Sequence, residues 1–251
     1  MSVYKITFSP TGGTQKVADI LAAEFAPTSK TVDLLDDIRE TTFLPDDLCV
    51  IAMPAFSGRV PSTCEQRMEK MRGNGARAIL VAVFGNRAID DTLLDMKELA
   101  LAAGFAPVAA IEAVAEHSIL RKFGAGRPDG EDAADLKSFA QKIKAVMEAS
   151  AVPTDLAVPG NIPHKERTNG PMKPYGGTTC NSCGLCVWRC PVRAIPKDDP
   201  KNVDKEKCIS CLHCMAVCPR SARRLAPELL AASEEKMASL LSERKENKLY
   251  L

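Results

Sequence analysis

Aromatic side chains are scarce in this 251-residue sequence: one Trp, three Tyr and eight Phe make up 5% of it. With 45% hydrophobic residues there is still enough for a sizeable core, but that core must consist mostly of Ala, Val, Leu and Ile. Charge of one sign is also missing. The formal net charge is +1, so nothing points to a nucleic-acid or membrane partner. No apolar run is as long as a membrane span. The chain begins directly as a strand-like run with no secretory signal, which leads us to expect a cytoplasmic protein whose thiols stay reduced. Two phosphate-binding fingerprints are absent as well. No glycine loop ends in G-K-S/T, and no strand is followed by G-x-G-x-x-G, which argues against a nucleoside-triphosphatase loop and a dinucleotide fold.

Cysteine is plentiful and clustered. Eight of the ten cysteines fall in one stretch. Cys180, Cys183, Cys186 and Cys190 are followed by Pro191; Cys208, Cys211, Cys214 and Cys218 are followed by Pro219. Both runs read C-x2-C-x2-C-x3-C-P, a spacing typical of [4Fe–4S] ligation. The repeat predicts two related metal sites. Three closely spaced thiolates serve one cube, and the fourth cysteine of each run serves the other. The expected sets are therefore Cys180, Cys183, Cys186 and Cys218 for cluster one, and Cys208, Cys211, Cys214 and Cys190 for cluster two. Gly184 allows a tight turn in the first loop. The prolines stop a helical turn after each fourth cysteine. Zinc also uses Cys-x-x-Cys pairs, but a structural zinc wants two separated pairs rather than two runs of three plus one. A disulfide framework needs an oxidising compartment, which nothing here indicates. Cys49 and Cys64 lack ligand spacing and are expected to be buried, inert thiols.

Residues 1–150 alternate strand-like and helical patterns. Strands are expected at 3–8, 30–34, 48–53, 78–84 and 106–114, and helices at 14–25, 61–70, 90–103 and 132–149. The run at 48–53 is almost continuously apolar, as in a strand covered on both faces. Five strands alternating with helices predict an α/β domain with a five-stranded parallel sheet and helices on both faces. Residues 151–177 are rich in Pro and Gly and read as an extended linker, long enough for the next domain to dock on its own chain or on a neighbour's. Residues 178–225 form the small α+β cluster domain. Residues 226–251 contain a last helix with an apolar stripe of Leu229, Leu230, Met237, Leu240 and Leu241. That stripe is expected to pack within the chain; packing on a second copy, giving a homodimer, is the alternative.

Three turns at the carboxyl ends of the strands carry a second site. Residues 9–14 read S-P-T-G-G-T between the first strand and a helix. Ser9, Thr11, Gly12, Gly13 and Thr14 place hydroxyls and backbone N–H groups at a helix N-terminus, which suits an anion. The segment resembles the flavodoxin phosphate loop that grips the phosphate of FMN. Ligands of such sheets sit at the carboxyl ends of the strands, at the switch point. The loop after the third strand then offers Pro54, Ala55, Phe56, Ser57 and Gly58, with Phe56 placed to stack on a flavin ring. The loop after the fourth offers Phe84, Gly85, Asn86, Arg87 and Asp90, although Arg59 and Arg87 equally suit surface pairing with Asp90 and Asp91. His117, past the fifth strand, is a candidate proton donor, with capping as the alternative. His213 lies between two cluster ligands and is expected to tune that cluster, while Trp188 is expected to shield one.

With residues 58–61, 85–87, 115–118 and 126–128 added to the phosphate loop and the eight cysteines, the chain resembles the flavodoxin–ferredoxin two-domain fusion proteins of anaerobic bacteria and archaea. The resemblance covers nearly the whole chain. It implies FMN in a flavodoxin-like first domain and two [4Fe–4S] clusters in a ferredoxin-like second one. Where many relatives carry an aromatic ring in the loop after the fourth strand, this chain has Ile89, which is expected to leave one flavin face open to a substrate or to the cluster domain. Residues 178–225 hold nine Lys or Arg against four Asp or Glu. Each oxidised cube with its thiolates brings about −2, so the loaded domain is near neutral. The expected function is electron transfer between clusters and FMN, coupling one-electron and two-electron redox partner proteins. An FMN-dependent reductase of a small organic molecule and a redox-responsive binding module are the alternatives.

Overall fold

The apolar runs of the first half become the strands of one sheet, and the helical stripes cover it. The computed structural model describes residues 1–149 and 155–251. In chain order the first half gives β1 (Val3–Thr7), α1 (Gly13–Ala23), β2 (Lys30–Asp33), β3 (Leu48–Pro54), α2 (Ser62–Met68), β4 (Arg77–Phe84), α3 (Thr92–Ala102), β5 (Ala106–Val114) and α4 (Gly130–Glu148). The second half adds two one-turn helices, α5 (Leu185–Trp188) and α6 (His213–Ala216), then α7 (Pro227–Leu241) and β6 (Lys248–Tyr250).

The parallel strands run in the order β2-β1-β3-β4-β5. This 2-1-3-4-5 order is that of the flavodoxin-like doubly wound sheet, whose ligand crevice opens between β1 and β3. The central strands are apolar throughout because both faces are covered. Val50, Val81 and Ile111 meet Val17 and Leu21 of α1 and Leu136 and Ile143 of α4. Ile51 and Leu80 meet Cys64 and Met68 of α2 and Leu93 and Met96 of α3. Cys49 and Cys64 are buried as expected, and burial pushes the Cys49 thiol up to about 12.

Two expectations need correction. The sheet has six strands, not five: β6 pairs antiparallel with β5, through Lys248 to Glu112 and Tyr250 to Ala110. Three residues carry too little periodicity to signal a strand; the open edge of β5 supplies the order. Nor is the Pro/Gly segment a free linker. Its residues 151–154 lie outside the described residues, but from Asp155 onward it is laid along α2 and α3. Leu156 is buried in the core. Asn161 and Lys165 donate backbone N–H groups to Asp91 at 3.0 and 2.6 Å. Arg167 meets Asp95 at 3.0 Å, and Arg59 donates to Asp95 at 2.9 Å and to the Lys165 carbonyl at 2.6 Å. The cysteine-rich part therefore docks on its own chain.

The return of the chain to the sheet is held by buried polar groups. Asn86 donates to the carbonyls of Leu241 and Glu243 at 2.6 and 2.8 Å and accepts from Lys245 N at 3.0 Å. Asn247 accepts from Val114 N at 2.9 Å and donates to Asp132 at 2.9 Å, while the buried Arg127 pairs with Asp132 and donates to the Lys245 carbonyl at 2.7 Å. Of the apolar stripe on α7, Leu241 is buried and Leu230 and Met237 are half-buried, but Leu229 and Leu240 face outward. Asn86→Ala removes three hydrogen bonds to one segment, two of their protein partners being buried or half-buried. It should cost about 2–3 kcal/mol, and limited proteolysis should then cut first within residues 242–251.

Candidate functional site

The loops at the carboxyl ends of the strands enclose two adjoining cavities. The smaller, about 80 Å³, is lined by Pro10, Thr11, Gly13, Thr14, Pro54 and Glu116, and shares Ala55, Phe56, Phe84, Gly85, His117 and Ser118 with the larger, about 370 Å³. The phosphate-type loop turns at Gly12, whose φ of +92° places it in the left-handed region, where glycine is favoured. Gly12 O accepts Lys16 N, and Ser9 Oγ accepts Gln15 N at 2.8 Å. That leaves the first-turn N–H groups of Gly13 and Thr14 without helical partners, at the end of α1 where an anion is favoured. Gly13 lies against Ala115: a Cβ there would sit 3.2 Å from the Ala115 Cβ. Gly85 is tighter, with an added Cβ only 2.8 Å from the His117 backbone and ring.

Phe56 is half-buried, stands edge-on to Phe8 at 6.3 Å and lines both cavities. Ser57, Gly58 and Arg87 border the larger one. His117 is different from a proton donor. Its Nδ1 accepts the N–H groups of Ile119 and Leu120 at 3.2 and 3.1 Å, so Nε2 carries the proton. Burial lowers its pKa below the ordinary 6.5, helped by the nearby Arg87 charge. It is a neutral hydrogen-bond donor near neutral pH.

Three expected contacts fall away from the cavities. Asn86 spends its side chain on the C-terminal segment, as described above. Asp90 is engaged by Arg87 and by Lys165 at 2.9 Å. Ile89 is buried in the core and borders neither cavity. The side expected to be open is covered instead by Asn169, Met172, Ile209 and Ser210 and by Ser233 and Met237 of α7. These closing residues were missed because their position depends on docking, which no local pattern encodes; the half-buried Met237 of the α7 stripe was the one available signal.

In the cysteine-rich half the sequence repeat is a backbone repeat. Ser182 and Ser210, Gly184 and Leu212, and Arg193 and Ser221 are pairs at the offset of the cysteine runs, and all six have positive φ. Helices α5 and α6 are equivalent in the same register. Ala194 N donates to Cys190 Sγ at 3.3 Å, and its counterpart Ala222 N donates to Cys218 Sγ at 3.2 Å. Such N–H···S bonds favour a thiolate and adjust cluster potential. Cys180, Cys183, Cys186 and Cys218 line one small cavity, with Gly184 and Arg223. Cys190, Cys208 and Cys214 lie close enough to Cys211 to act on its ionisation. Burial pushes Cys211 up to about 12 and Cys214 to about 11. The structure brings Cys180, Cys183, Cys186 and Cys218 together at one place and gathers Cys208, Cys211 and Cys214 near Cys190 at another; four thiols at each are donors that suit [4Fe–4S].

The two sets differ in depth. Cys183 is exposed and Cys180 half-exposed, whereas Cys208, Cys211 and Cys214 are buried. Cys211 also lines the smaller cavity beside Pro10 and Thr14. His213 is buried, and its Nδ1–H donates to the Pro10 carbonyl at 2.8 Å, while its Nε2 has no partner among the described residues. Arg67 of α2 donates to the Leu34 carbonyl and, at 3.1 Å, to the Pro191 carbonyl next to Cys190. Trp188 shields nothing: it is 71% exposed.

Residues 174–228 match the model of the 4Fe-4S dicluster domain. The chain joins a flavodoxin-like domain to a 4Fe-4S dicluster domain. Among solved structures, the chain is similar to a flavodoxin of Streptococcus pneumoniae TIGR4, at 17% identity over 57% of this chain and 99% of that one, with a TM-score of 0.39. It is also similar to a flavodoxin from the domain Archaea (12%, 57% and 99%, TM-score 0.40) and to flavodoxin 2 of Bacillus cereus (11%, 58% and 99%, TM-score 0.40). A search of curated proteins finds no match. The assignment of the flavodoxin-like domain rests on its strand order. Among the described residues, no helix is long and apolar enough to cross a membrane.

The His117 geometry has a measurable consequence. Because its folded pKa is lowered, the unfolded chain takes up the proton first as pH falls below 6.5. The contribution of neutral His117 to stability is therefore complete above that value and is lost as pH falls towards the folded pKa. An NMR titration should find the ring more than half neutral at pH 6.5, and His117→Gln should reduce the slope of stability against pH on the acid side.

Proposed function

We propose that this protein is an electron-transfer flavoprotein that holds FMN and two [4Fe–4S] clusters and passes electrons between them, coupling one-electron and two-electron redox partners. The observation that carries the reading is the place of Cys211, a cysteine of the buried set, on the wall of the cavity formed by the phosphate-type loop. FMN supplies two-electron chemistry and the clusters one-electron chemistry. The chain's own residues do the rest. Gly13 and Thr14 offer N–H groups to a phosphate, with Ser9, Thr11 and Gly12 shaping the loop. Pro54, Ala55, Phe56, Phe84 and Gly85 form the walls for an aromatic ring system, and His117 offers its Nε2–H. Ser57, Gly58 and Arg87 border the rim. Cys180, Cys183, Cys186 and Cys218 hold the outer cluster, and Cys190, Cys208, Cys211 and Cys214 the inner one.

Ile209 and Ser210 of the dicluster domain line the larger cavity and Cys211 lines the smaller one, so the cysteine-rich half and the crevice share walls, which supports transfer between them. Anaerobically purified protein should contain eight iron, eight sulfide and one FMN per chain, about the complement of two cubes and one flavin. Reduction with a one-electron donor should then bleach the flavin band. Zinc in place of iron, or a flavin that stays oxidised beside reduced clusters although its potential allows transfer, would refute the reading. Gly85→Ala should weaken FMN binding at least about tenfold, read by flavin fluorescence, because its Cβ would collide with the His117 backbone.

A further inference from the structure

The clusters need an electron source, and one face of the dicluster domain is built unlike the rest. We propose that Leu185, Trp188, Arg193, Lys197 and Arg220 form the docking surface for a one-electron carrier protein with a carboxylate-rich rim. This rests on the reading above, in particular on the outer cysteine set holding a cluster.

Helix α5 points Cys186 inward and Leu185 and Trp188 outward. Trp188 is 71% and Leu185 37% exposed. An exposed Trp beside Arg is the side-chain combination that dominates binding energy at protein interfaces. Two concavities meet at Gly184. One holds the outer cysteines and reaches Arg220; the other, about 560 Å³, runs between Trp188, Arg193 and Lys197. Neither lining contains a carboxylate. Arg193, Lys197 and Arg220 are exposed and form no ion pair among the described residues. The nearest acids are engaged or on the flank: Asp199 accepts from Lys201 N and Asn202, Asp36 and Asp37 share a cavity with Trp188 and Arg193 but meet Arg189 at 3.7 Å and Lys70 at 2.7 Å, and the exposed Asp198 follows Lys197 directly. Arg193 and Lys197 beside the Trp188 ring, and Arg220, whose Nε donates to the Thr179 carbonyl at 3.1 Å, beside Leu185, call for a partner with carboxylates around an apolar centre. The face also adjoins Cys183, the one exposed cysteine of the eight. The other set is turned into the flavodoxin-like domain, so this side is where a carrier can come close. Each encounter moves one electron: the carrier is oxidised, the protein is reduced, and no bond is made or broken.

The test uses the holoprotein and a small acidic bacterial ferredoxin. Association with the reduced probe is followed by stopped flow, and affinity for the oxidised probe by calorimetry, where no electron flows. The association rate should fall tenfold or more between ~20 and ~300 mM ionic strength. Arg193→Glu with Lys197→Glu should abolish most of that dependence, and Trp188→Ala should raise Kd about tenfold, with cluster absorbance unchanged. A salt-independent rate, or affinity untouched by both variants, overturns the proposal. So does binding of phosphatidylglycerol vesicles, but not of the ferredoxin, through the same cations. If chemically reduced clusters leave the flavin oxidised, the electron-transfer reading fails, and the calorimetric Kd still decides the docking surface.

Discussion

The seating of the second cysteine loop on the carboxyl edge of the sheet is the contact on which the rest of the structure depends. Ile209 and Cys211 are buried in the same hydrophobic core as Phe8, Ile51 and Phe84. Burying Ile209 is worth roughly 2 kcal/mol, and the hydrogen bonds from His213 to Pro10 and from Arg67 to Pro191 add about 1 kcal/mol each. Together they fix the deeper cysteine set against the loop that turns into α1. The strapped segment from Asp155 to Met172 lies over the same edge, and Leu156, Ile209 and Cys211 extend the sheet's hydrophobic core into the second half.

This arrangement accounts for the unequal treatment of the two cysteine sets. They are nearly identical in local backbone, down to matching positive-φ residues and matching N–H···S bonds. Their surroundings are not alike. Leu212 occupies the left-handed position that Gly184 fills in the other run, and it is buried with Met172 and Leu225. A leucine there accepts backbone strain because its side chain is needed for packing. On the solvent side glycine suffices. Repetition set the two cysteine runs, and docking then differentiated their surroundings.

Much of the architecture was legible in the sequence. The apolar runs at 48–53 and 78–84 marked buried central strands, and the doubled cysteine spacing marked the dicluster domain. The glycine turn at residues 12 and 13 marked a helix N-terminus at the crevice. What escaped was everything decided between distant segments. Asn86 reads as a turn residue beside the crevice, but its amide is matched to carbonyls about 155 positions away. Ile89 looks like a missing aromatic lid and is a core residue. Three residues at the C-terminal end become a strand only because β5 offers an edge.

That last strand alters how the dicluster domain should be viewed. It is bracketed: the chain leaves the flavodoxin-like sheet after α4 and comes back to it through β6. The domain is in effect an insertion, tethered at both ends, rather than a weight on a string. Swinging it away would mean peeling β6 from β5 and stripping the strap from α2 and α3 at once. A domain that swings freely on a flexible tether is incompatible with that attachment. The spacing between the deeper cysteine set and the crevice at the carboxyl edge of the sheet is set by the fold.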